Sequence, residues 1–189
     1  LFKYHAACDL THAGIDALKK LKEDHNLKAN QVERIEQFVP KTHFSVCNIA
    51  EPETGLEVKF SMRHTAAMTL ADVDTGSLNS YSDDIAKRPD LIKLRDRVTI
   101  IDKPFNSRMQ SEVVVHLKDK GAVHQFSDAG VPESNLDKQE TKLIRKFNSL
   151  VTPIFGKEAS QSILDKCLKL ENLDNVADLF NEATLSNAS

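Results

Sequence analysis

The sequence has 189 residues, 40% hydrophobic and 28% charged, with a formal net charge of −3, a balance that fits a globular protein with one substantial core or two small ones. Its 25 basic residues form no run, so there is no nucleic-acid or membrane-surface footprint, and no apolar stretch approaches the roughly 18 residues that a bilayer span needs. Three widely spaced cysteines, Cys8, Cys47 and Cys167, odd in number and without CxxC spacing, argue against a disulfide framework and a zinc ribbon and fit a reducing cytoplasm or organelle matrix. The start at Leu1, without an initiator Met or the charged-then-apolar order of a signal peptide, reads as a piece of a longer protein.

In chain order, Thr11 is placed to cap a helix over 12–24, where Ile15, Leu18 and Leu21 recur at every third residue and Asp16, Lys19, Lys20, Lys22 and Glu23 face elsewhere. The apolar residues Val32, Ile35, Phe38 and Val39, ending on Pro40, predict a strand from about Arg34. Gly55 opens a segment, 56–71, that is apolar on most faces at helical length and predicts one buried helix. A turn around Gly76 leads to short helices near 82–87 and 90–96, separated at Pro89. Residues 98–101 and 112–118 are rich in β-branched side chains, and Asp119-Lys120-Gly121 turns the second into 122–126 as a hairpin. Beyond Gly130-Val131-Pro132 three helical patterns follow, about 136–151, 157–169 and 172–184. The pattern predicts an α+β fold: about four strands in a mostly antiparallel sheet with helices on one side, followed by C-terminal helices, with a division into 1–130 and 131–189.

Two stretches carry chemistry. In Lys3-Tyr4-His5-Ala6-Ala7-Cys8-Asp9-Leu10-Thr11-His12 a cation, two imidazoles and a thiol precede a helix start. The unsatisfied N–H groups and positive dipole end of that first turn suit a carboxylate held beside Lys3 and His12. The same residues also read as an ordinary capped helix with a small buried Cys8. In Lys59-Phe60-Ser61-Met62-Arg63-His64 two cations one turn apart and an imidazole sit on an otherwise apolar helix, where an anionic ligand would pair them. Their alternative is to snorkel to solvent or to bridge a carboxylate such as Glu57.

Taken together, Lys-Tyr-His-Ala-Ala-Cys-x-x-Thr-His and, some fifty residues on, Gly-Leu-Glu-x-Lys-Phe-Ser-x-x-x-x-Ala-x-x-Leu resemble the second half of the MmgE/PrpD family, which includes 2-methylcitrate dehydratase, cis-aconitate decarboxylase and iminodisuccinate epimerase. The resemblance implies a lid domain over 1–130 and C-terminal helices over 131–189 that complete a helical domain preceding this chain. It also implies a cytoplasmic homodimer with no metal or organic cofactor and a small polycarboxylate substrate. The family's main catalytic bases lie in the helical domain and so outside this chain. Residue by residue, Lys3 matches the lid lysine that holds a substrate carboxylate, Cys8 a position that is histidine in decarboxylase-like members, and His12 the Thr-His pair at the helix start. His64 stands where dehydratase-like members have a tyrosine in the cleft, with Arg63 and Lys59 as further carboxylate clamps. Cys8 and His64 are thus the candidate catalytic groups and Lys3, His12, Arg63 and Lys59 the candidate substrate-binding groups. The implied reaction is abstraction of a proton next to a carboxylate followed by elimination, as in a dehydratase. Imidazole in place of phenol changes which proton transfer is feasible near neutral pH, which leaves an epimerase or isomerase as the alternative. A non-catalytic dimerisation or ligand-sensing module is the alternative outside enzymes. The C-terminal stripes are expected to be exposed or paired between chains, so that the piece self-associates.

Overall fold

A computed structural model describes residues 2–119 and 121–179. The chain divides into two compact units between Glu133 and Ser134.

The first unit begins with α1, Asp9–His25, which buries Leu10, Ile15, Leu18 and Leu21. Fully burying each of these aliphatic side chains stabilises by roughly 1.5–3 kcal/mol. The helix starts three residues earlier than its apolar spacing predicts, because Cys8 rather than Thr11 occupies the N-cap position. Thr11 is buried, and its hydroxyl donates back to the Cys8 carbonyl at 2.8 Å. At the other end Asn26 takes the left-handed conformation, φ 48°, that closes a helix C-terminus. Lys22 there donates to the carbonyls of Thr69 and Leu70, both at 2.9 Å, and pairs with Asp72 at 2.6 Å. One cation thus caps the C-terminal end of a second helix as well.

Four strands form one sheet in the order β2-β1-β3-β4, with β1 Val32–Val39, β2 Val98–Asp102, β3 Gln110–Leu117 and β4 Gly121–Asp128. The pairs β1–β3 and β3–β4 are antiparallel and β1–β2 is parallel, so the fold is α+β with a mostly antiparallel sheet. One face is dry: Ile35 lies between Val98 and Val115, and Gln37 between Ile100 and Val113, all of them buried. The opposite face carries paired polar side chains, with His116 and Glu36 2.7 Å apart and Lys103 bridging to Glu112.

The connection from β1 to β2 holds α2 Gly55–Val58, α3 Met62–Leu70, α4 Asp83–Ala86 and α5 Pro89–Arg95. The single helix expected over 56–71 is therefore two. Residues 59–61 leave the helix to pair with 47–49: Met62 N–H donates to the Cys47 carbonyl at 3.1 Å and Ile49 N–H to that of Phe60 at 3.2 Å. Ser61 then restarts the helix by accepting from His64 N–H at 3.2 Å. In the second unit α6, Leu136–Leu168, carries Pro153 and is broken at Gly156, whose φ of 79° and ψ of 172° suit glycine alone. Of the last predicted helix, residues 172–179 form only short 3-10 turns, Leu170–Asn172 and Val176–Leu179, and the rest lies outside the described residues.

Candidate active site at the amino end of α1

Most of the candidate groups gather where α1 begins. Lys3 is exposed and its amine lies 2.9 Å from the Asp9 carboxylate. That ammonium, ahead of weaker pulls from His12 and Arg108, holds the Asp9 carboxyl below the usual carboxylate range. His12 is 6% exposed, and its Nε2 has no hydrogen-bond partner. Its ring stands edge-on to that of His5, with centroids 4.9 Å apart. Burial, and then the neighbouring His5, push the His12 imidazole down to about 4, so at neutral pH it is an uncharged ring with one buried, unpartnered nitrogen.

His5 anchors this end of the helix. Its Nε2 lies 3.0 Å from the Asp16 carboxylate and its Nδ1 2.8 Å from the Thr75 hydroxyl, which in turn accepts from Lys19 at 3.1 Å. The chain runs unbroken from Lys19 through Thr75 and His5 to Asp16. The Thr75 carbonyl also takes the Ala6 N–H at 2.8 Å and the Tyr81 hydroxyl at 3.0 Å.

Cys8 is half-buried and shares a hydrogen bond with the thiol of Cys47, which has no exposed surface. That bond lowers the Cys8 thiol well below its ordinary value, against the cost of burial and with help from the Leu10 amide and Lys3. The Cys47 thiol, donor in the bond and fully desolvated, is pushed up. The negative charge of the pair therefore belongs on Cys8, the sulfur nearer to solvent and to the helix amino end. Cys47 N–H is fixed on the His43 carbonyl at 2.9 Å, and His43, itself fully buried, donates from Nε2 to the Arg108 carbonyl at 2.8 Å. Cys47, His43 and Arg108 were not singled out by motif or spacing, since the 43–47 segment and Arg108 lie far along the chain from the start of α1.

Lys59 joins this group through its backbone and Tyr81. Its carbonyl accepts from Cys8 N–H at 2.9 Å, and its amine sits 5.6 Å from the centre of the Tyr81 ring. Because the helix breaks after Lys59, it does not share a helical face with Arg63. Arg63 donates instead to the Val98 carbonyl at 3.2 Å and to the Asn48 side chain at 3.0 Å. His64 is fully buried, and its Nε2 donates to the Ile85 carbonyl at 3.2 Å, with Nδ1 unpartnered. Burial is the main reason its imidazole falls to about 4. Arg63 and His64 are thus held on α3 by separate partners, while Lys3, Cys8, His12 and Lys59 meet at the start of α1.

The family model for the MmgE/PrpD C-terminal domain matches residues 5–170. The chain belongs to the MmgE/PrpD family. Comparison with curated proteins returns no match. The MmgE/PrpD match includes Cys8, His12, Lys59, Arg63 and His64 and begins just after Lys3. It runs through the sheet, its helical connection and nearly all of α6. Among the described residues of this MmgE/PrpD domain, no group of three or more His, Cys, Asp or Glu side chains is placed to hold a metal ion, and no helix is long and apolar enough to cross a membrane.

Proposed function

We propose that this domain forms one wall of the active site of an MmgE/PrpD-family lyase, dehydratase-like, that removes a proton next to a carboxylate of a small di- or tricarboxylate. The observation that carries this reading is the grouping at the start of α1 of an exposed ammonium, a partly exposed sulfur biased toward thiolate and a neutral buried imidazole. Lys3 holds a substrate carboxylate as a point charge, which also makes the adjacent C–H more acidic. Cys8 faces the same substrate as an acid or base whose charged form is populated near neutral pH. His12, buried beneath that surface, orients the loop as a neutral ring packed edge-on to His5. Lys59 adds positive potential from behind, and Arg63 and His64 act as positioning residues because both are held by main-chain carbonyls in the interior.

An epimerase acting on an iminodisuccinate-like dicarboxylate would use the same wall, with the proton returned on the opposite face. The test is turnover by the full-length protein with methylcitrate and with iminodisuccinate, in the native sequence and in Lys3→Ala and Cys8→Ala. Losing a charged hydrogen bond costs about 1.5–3 kcal/mol, so Lys3→Ala is expected to raise KM by roughly ten- to a hundredfold, while Cys8→Ala lowers kcat. Activity with methylcitrate supports the lyase and activity with iminodisuccinate the epimerase. Unchanged turnover in both variants would remove the site.

A further inference from the structure

We infer that Cys8 and Cys47 form a redox-active dithiol that a hydroperoxide converts into an intramolecular disulfide. The main chain brings the two together. Cys8 N–H is bonded to the Lys59 carbonyl, the Cys47 carbonyl accepts from Met62 N–H, and Asn48 is bridged to Ser61, so both cysteines border the same 59–62 segment. Both side chains belong to the packing around the same apolar core, and the two sulfurs share a hydrogen bond.

Their exposures divide the labour. Cys8 is partly exposed and within the field of Lys3, while Cys47 has no exposed surface, so an oxidant reaches Cys8 first. The Cys8 thiolate attacks one oxygen of the hydroperoxide; the O–O bond breaks, leaving a sulfenic acid on Cys8 and a hydroxide or alkoxide that takes up a proton. The Cys47 sulfur then attacks the Cys8 sulfur, the S–O bond breaks and water leaves, its second proton coming from the Cys47 thiol. Two thiols have lost two electrons and the hydroperoxide has gained them. The product ties the amino end of α1 to the 43–47 segment and withdraws the Cys8 thiolate from solvent. Chemistry at Cys8 follows from its neighbour whether or not the domain is part of a lyase.

Trypsin separates the three cysteines into peptides 4–19, 42–59 and 167–169, which makes the test direct. The full chain at low concentration is treated with stoichiometric hydrogen peroxide, blocked with iodoacetamide, digested and examined by mass spectrometry. The expected product is peptide 4–19 linked to 42–59, lighter than the sum of its parts by two hydrogens, restored by dithiothreitol, with Cys167 recovered alkylated. In Cys47→Ser, which lacks the resolving sulfur, Cys8 is expected to stop at a sulfenic acid trapped by dimedone. Cys8 carried to sulfinic acid beside an intact Cys47 thiol, Cys8 linked between molecules, or Cys8 left reduced at a dose that oxidises Cys167 would each overturn the assignment. The native chain alone decides these outcomes, so they stand even where Cys47→Ser folds poorly.

Discussion

His12, His43 and His64 are buried, each with one ring nitrogen that lacks a hydrogen-bond partner. Burial is the leading cause that depresses all three, His12 and His64 to about 4 from an ordinary 6.5. Below pH 6.5 the unfolded chain takes up protons that the folded chain refuses until about pH 4, so stability is complete above that window and is lost as pH falls through it. Shifts of this size correspond to about 3–3.5 kcal/mol for each of the two rings. Urea unfolding between pH 7.5 and 4.5 should show this loss before carboxylates such as Asp9, held low by Lys3, begin to protonate. His64→Met should be less stable at pH 7.5, having lost the bond to Ile85, yet flatter across the window; a variant slope equal to the native one would refute the assignment to His64. At this scale the motif supplied Cys8, His12 and His64 as residue types; that Cys8 and His12 lie at the start of α1 while His64 is turned onto the Ile85 carbonyl is set by partners that sequence does not name. The spacing of the cysteines hid Cys47 as a partner of Cys8, since the turn and bridge that join them are main-chain contacts with no signature in the side chains.

Gly55 shows how tightly the short elements are set. A Cβ on it would stand 2.0 Å from the Tyr81 carbonyl oxygen and 2.8 Å from the Ser82 Cα, both backbone atoms, while Gly55 N–H is bonded to Asp83 at 2.8 Å. Alanine at 55 must therefore move α2 away from the start of α4, and with them Tyr81 under Lys59. The expected cost is about 3 kcal/mol, in the upper range for overpacking, read as a lowered urea midpoint. Leu56→Ala next to it, 66% exposed, should change the midpoint little, and equal shifts would show that local helix loss rather than the close approach is responsible. Strands and the long helices were legible because β-branched alternation and three-residue apolar spacing survive in the sequence: Val98–Asp102, Gln110–Leu117 and Gly121–Asp128 end within two residues of the predicted 98–101, 112–118 and 122–126. The break after Lys59 was not, because Lys59-Phe60-Ser61 holds no glycine or proline to mark it, and the segment leaves the helix where it meets hydrogen bonds to 47–49. That single override separates Lys59 from Arg63 and decides which groups share the start of α1.

The two units differ in how they are stabilised. The main buried apolar cluster runs from Ala7 to Val115, and every member lies in the first unit. In the second unit Ile163 and Leu164 are buried, but Leu136, Ile154, Leu168 and Val176 are 50–73% exposed, more apolar surface than a helix in water usually leaves uncovered. A chain ending at Glu133 is therefore expected to unfold cooperatively with a midpoint close to that of the full chain, because it retains the cluster, the sheet and the site at α1. The full chain is expected to self-associate through the second unit, as sedimentation across a range of concentrations would report, and Leu136→Lys with Ile154→Lys should weaken that association. A shortened chain that loses cooperative unfolding would mean that the first unit borrows its stability from residues after 133. A full chain that sediments as a monomer at all concentrations would mean that the exposed side chains of α6 need no partner, and the expectation that these helices complete a surface on another polypeptide would fall with it.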